Sequence, residues 1–144
     1  MYRFLLLSLL IIVILPFIPA GQAGAGHWPV EIYDVMDNNK VVIFLRNEDI
    51  TASPQWQPAD GGPPLTIAAT LKHVKSWIEK DEQLKGAEVY EIELKPIQQH
   101  EQEHRWYYLV QLHGLRDGKP GDYYIAVLFN GKIVPAVVEP ASIK

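Results

Sequence analysis

The amino terminus constrains this chain most. After Met1-Tyr2-Arg3, residues Phe4 to Leu15 are apolar except for Ser8, and Pro16 and Pro19 close the run. Small residues follow in Ala20-Gly21-Gln22-Ala23-Gly24-Ala25-Gly26. A positive start, an apolar middle and a small-residue exit are the parts of a secretion signal. As a helix, the run up to Pro16 would reach only ~18 Å, short of the ~30 Å of bilayer hydrocarbon. That favours a cleaved signal over a retained N-terminal anchor. Ala23-Gly24-Ala25 sets the expected cut after Ala25, and cuts after Ala20 or Ala23 fit the same rule. Residues 1–25 are therefore set aside. Residues 26–144 are expected to form one globular domain, periplasmic or secreted.

Those 119 residues suffice for an ordinary core. Without Arg3 they carry 12 basic and 17 acidic side chains, a net charge of −5. A mildly acidic surface with no basic cluster argues against nucleic-acid partners. It leaves membrane contact to the N-terminal segment alone. The chain has no cysteine, so its core must hold without disulfides, and thiol catalysis and thiolate metal sites are excluded.

Val30 to Val35 and Val41 to Leu45 read as strands joined through the turn residues Asp37-Asn38-Asn39, a likeness to a β-hairpin. The second strand is apolar throughout, which predicts a central position. Residues 51–64 are rich in Pro and Gly and predict an irregular segment, with Trp56 seated over one end of the core. Leu65 to Lys85 predicts a helix, with Ile67, Leu71, Val74 and Ile78 in one apolar stripe. Pro63-Pro64 stand at its start, and Gly86 follows its last turn. Val89 to Leu94 predicts a strand with Tyr90, Ile92 and Leu94 toward the helix and Glu91 and Glu93 toward water. Trp106 to Leu112 and Tyr123 to Phe129 predict two more strands, separated by a Gly114–Gly121 loop. Asn130-Gly131 is a strong hairpin signal, and Lys132 to Val138 completes that hairpin. Pro135 marks this last strand as an edge or a bulged strand, open to homodimer formation.

The order β-β-α-β-β-β-β predicts an α+β domain, one helix packed on a curved antiparallel sheet. In this architecture the chain resembles the cystatin-like group and, more loosely, exported PepSY-like domains. The resemblance is carried by the helix, Gly86 and the successive strands ending in the Tyr123–Val138 hairpin. What it implies is a fold, not an activity.

His100-Glu101-Gln102-Glu103-His104 matches H-E-x-x-H letter for letter. On a helix the two imidazoles would share a face and hold one zinc ion, with Glu101 acting on a bound water. The flanks favour a solvated loop instead: Pro96 precedes the motif and the β-forming run from Trp106 follows it. Glu103 adds a charge where such helices carry a packing residue. A mature terminus at Gly26-His27 would let the amine and His27 chelate copper, although a frayed terminus is the plainer reading. His73 is expected on the helix between core positions, exposed or at the edge of the core, and His113 at a loop mouth. No serine sits in a nucleophile elbow and no Gly-rich phosphate loop occurs. No cofactor is implied.

The aromatic runs Trp106-Tyr107-Tyr108 and Tyr123-Tyr124 place rings on both faces of two neighbouring strands. One face meets the helix. The other is covered by the N-terminal hairpin or by the Trp56 loop, or else forms an exposed partner surface led by Trp56, Tyr107 and Tyr124. The resulting expectation is a non-catalytic domain that binds a protein, a peptide or a small ligand. The alternative is a metal-binding protein or zinc hydrolase using His100, Glu101 and His104.

Overall fold

The computed structural model describes residues 30–36, 39–116 and 119–138. The expected cleavage site and His27 lie outside them. The fold is α+β, with two helices and two antiparallel sheets. β1 (Val30–Met36) and β2 (Asn39–Leu45) form the expected hairpin. A short helix, α1 (Asn47–Ala52), follows, and then a 3-10 turn at Pro58–Asp60. The main helix is α2 (Ile67–Ile78). β3 (Glu88–Pro96), β4 (Trp106–Arg116), β5 (Lys119–Leu128) and β6 (Ile133–Pro135) make a four-stranded sheet in that order. β7 (Val137–Val138) belongs to a second sheet of order β1-β2-β7, so β2 is central there.

The predicted last strand is thus divided between two sheets. Ile133–Pro135 pairs with β5, and Val137–Val138 pairs with β2. Ala136 stands at the switch, its N–H still donating to the Tyr124 carbonyl (2.8 Å). One kinked strand therefore makes the corner at which the two sheets join, as in other packed sheets whose strands change partners.

α2 is shorter than its sequence pattern. Thr66 caps it, its hydroxyl accepting the Ala69 N–H at 3.2 Å. After Ile78 the Asp81 carboxylate accepts the Gln83 N–H at 2.9 Å. That side chain-to-backbone bond supports a turn where the helix could have continued. Thr70, Val74 and Ile78 face the sheet, whereas Ile67 and Leu71 of the predicted stripe remain 56% and 40% exposed. The helix-side core packs Val74 and Ile78 against Tyr108, Val110, Leu112, Ile125 and Val127. The Tyr108 hydroxyl donates to the Leu65 carbonyl at 2.7 Å and ties the helix start to the sheet.

The opposite face of the sheet carries a second core. Ile43 and Leu45 of β2 and Ile50 of α1 cover Tyr107, Leu109, Ala126 and Leu128. The layers are helix, four-stranded sheet and three-stranded sheet. α1 was not expected, because six residues are too few for a period to declare itself. It is held by Asp49, whose carboxylate pairs with Arg46 (3.0 Å) and with Lys132 beyond β5. Burial pushes the Asp49 carboxyl up, but the hydrogen bonds from Lys132 and Arg46 outweigh it and leave it below the usual carboxylate range.

Candidate functional site

Trp56 and Tyr107 lead away from the surface. Trp56 is 7% exposed, its ring edge-on to Trp106 and Phe129 at 5.4 and 5.9 Å. Its indole N–H donates to the Gly61 carbonyl at 3.1 Å, so it seals one end of the helix-side core as its loop position suggested. Tyr107 does lie on the face away from the helix, but β2 and α1 cover it and leave 4% exposed. Neither ring can meet a partner without unpacking a core. Tyr124 lies on the same face and is only half-buried.

The H-E-x-x-H letters fall in the hairpin loop between β3 and β4, whose strands meet at Pro96 and Trp106. Glu101–Glu103 form a 3-10 turn, and His104 has a left-handed backbone with φ of 54°. Helical i, i+4 stacking of His100 and His104 is therefore lost. His100 Nδ1 bonds instead to Glu103 Oε1 at 3.0 Å, and Glu101 and His104 point to water. Among the described residues no group of three or more His, Asp or Glu is placed to hold a metal ion. The loop works as a support: the His104 carbonyl accepts the Trp56 N–H at 2.9 Å, and the Arg105 guanidinium reaches the Ser53 carbonyl.

The distinctive surface lies where the three-stranded sheet stops short. Toward the start of β5, the outer face of β3-β4-β5 carries Glu91, Gln111, His113, Asp122 and Tyr124 in register, with Gln111 opposite Tyr124 and His113 opposite Asp122. The Asp122 carboxylate accepts from Gln111 Nε2 at 3.1 Å and is in contact with His113 Nδ1. A register shift between Val89 and Glu91 turns Tyr90 out to 64% exposure, its ring 4.2 Å from that of His113. The alternation expected for Tyr90, Ile92 and Leu94 thus fails at Tyr90, because a bulge inserts one residue. His113 is not at a loop mouth either. β4 and β5 continue past it, with Gly114 opposite Gly121 and Leu115 opposite Pro120. Gly114 permits this, since a Cβ there would come within 2.9 Å of the Ala87 Cβ.

A groove of about 410 Å³ opens beside this face. Among the described residues β6 pairs with β5 only over Ile125–Val127, after which the chain leaves for the other sheet. The edge of β5 below Tyr124 lies in the groove. Leu128 N–H bonds to Lys132 and the Tyr124 carbonyl to Ala136, so antiparallel alternation aims the main-chain groups of Asp122 the same way. Trp77 and Leu84 wall one side, Val41, Val137 and Val138 the other, and the acidic residues Asp81 and Asp122 also line it. Tyr124 lines both this groove and a smaller hollow with Glu91, Glu93, Leu109 and Gln111. Sequence reading could find Tyr124 from strand alternation. It could not find the groove, which exists because the corner strand departs at Ala136.

No known protein family, curated protein or solved structure matches the chain.

Proposed function

We propose that the chain is an exported, non-catalytic binding domain that takes an extended basic peptide along the open edge of β5. The observation that carries this reading is the groove at the sheet corner. It offers a strand edge that β6 leaves at Ala136, apolar walls for alternate side chains, and two acidic residues in its lining. Strand addition uses these parts: main-chain bonds supply affinity and flanking pockets supply specificity. Asp81 and Asp122 favour a Lys or Arg side chain there. The His113–Asp122 pair resembles half of a hydrolytic relay, but no serine or threonine stands beside it in register, since its neighbours on that face of the sheet are Glu88, Gln111 and Tyr124.

The test is peptide binding to the full chain, read by fluorescence anisotropy. An alternating Lys/Val peptide is expected to bind, more weakly as salt rises. A Glu/Val peptide is not. Asp81→Asn with Asp122→Asn should weaken the Lys/Val peptide about tenfold, and amide exchange should slow at Asp122. Equal binding of both peptides, or binding indifferent to the two Asn substitutions, would refute the site.

A further inference from the structure

The opposite edge of the four-stranded sheet is built differently. Among the described residues β3 is outermost there and runs nine residues. Its helix side is incompletely covered: Leu94 is 37% exposed, and beside it α2 leaves Ile67 and Leu71 at 56% and 40%. Leu71 shares an apolar groove of about 420 Å³ with Val89 and Ala87, while the Tyr108–Leu65 bond holds the helix start next to Leu94. An apolar strip thus flanks an open strand edge.

The geometry points to a second copy of this chain as the occupant, paired β3 to β3 about a two-fold axis at Leu94. The Ile97 N–H donates to Arg105 across the β3–β4 hairpin (2.8 Å). Alternation then directs the main-chain groups of Ile92 and Leu94 to the free edge. Antiparallel pairing centred on Leu94 bonds the two Leu94 residues to each other and each Ile92 N–H to the Pro96 carbonyl of the second copy. In this register Glu93 lies opposite Lys95 twice over, with no like charges facing each other. Within one chain those two side chains already form an ion pair, so the exchange keeps every charge partnered. On the helix side the two copies of Leu94, Ile92 and Ile67 meet near the axis. A two-fold contact uses the same edge from both copies and closes. The bulge at Tyr90 and Pro96 limit pairing to the middle of β3. The structure thus favours β3 over the Lys132–Val138 edge that the sequence suggested.

The test is sedimentation of the full chain in mild detergent, with disulfide trapping. Glu93→Lys is expected to weaken the dimer roughly tenfold, because two attractions become two repulsions. The double exchange Glu93→Lys with Lys95→Glu should restore it. Glu93→Cys and Lys95→Cys, in a chain that has no cysteine of its own, should cross-link when the two proteins are mixed and not when either is oxidised alone. A monomeric wild-type chain would overturn the inference. So would a dimer that Glu93→Lys leaves unchanged, which would place association at the N-terminal segment or another edge. Cross-linking of either single variant by itself would also overturn it.

Discussion

Tyr107 and Tyr124 occupy the same face of the same sheet, yet one is core and the other is surface. Tyr107 stands near the end of the sheet that β2 and α1 cover, and Tyr124 stands where that cover ends. Residue type and strand alternation are alike for both. What separates them is the reach of a three-stranded sheet whose last strand pairs over only two residues. One face can therefore serve stability at one end and recognition at the other, with the boundary set by a neighbouring element.

Truncating each ring separates the covered end of the sheet from the uncovered one. Tyr107→Ala is expected to cost about 3–5 kcal/mol in urea unfolding, the range for deleting a fully buried aromatic side chain. A loss below about 1 kcal/mol would mean that the three-stranded sheet does not cover it. Asp49→Asn tests the same covered end through α1 and should cost about 2 kcal/mol at neutral pH, since it uncouples Lys132 and Arg46. The native pKa of Asp49 is lowered. Its stabilisation is therefore complete above the unfolded carboxyl's ordinary value of about 4 and is lost as pH falls through the lower native value. Acid titration of stability should consequently be shallower in Asp49→Asn than in the parent. Tyr124→Ala should cost only about 1 kcal/mol, since part of its ring stays in water, while abolishing capture of the basic peptide. The smallest effect is expected at the H-E-x-x-H loop. His104→Gly should change stability by less than about 1 kcal/mol, because glycine accepts the left-handed backbone that His104 adopts. A large loss there would show that the His104 imidazole does more than its exposed position implies.

The elements with strong local signals were legible in the sequence. The β1–β2 hairpin, the central place of β2, the existence of the main helix and the Asn130-Gly131 turn all follow from residue pattern, whereas the Thr66 cap came only with the structure. The loop character of residues 100–104 follows from their flanks. Features that depend on what lies across space were not legible. Ile67 and Leu71 satisfy a helical stripe, but nothing in their spacing says that the sheet extends only far enough to bury Val74 and Ile78. The bulge at Tyr90 has no marker residue. The division of Lys132 to Val138 between two sheets was hinted at by Pro135, but its consequence, a groove at the edge of β5, depends on where β2 happens to be.

The corner at Ala136 also sets an order of events. β2 and β7 are distant in the chain, since Val42 pairs with Val137. As the chain is synthesised, the first hairpin emerges well before the strand that locks it to the rest of the domain. Closing so long a loop is entropically slow compared with forming the β3–β4 and β4–β5 hairpins. Ile43 and Leu45 therefore stay uncovered until β4 and β5 supply the face they pack on, and β2 lacks its second strand partner until the corner strand arrives. That interval is when the nascent domain is most open to chaperone capture or to misassociation.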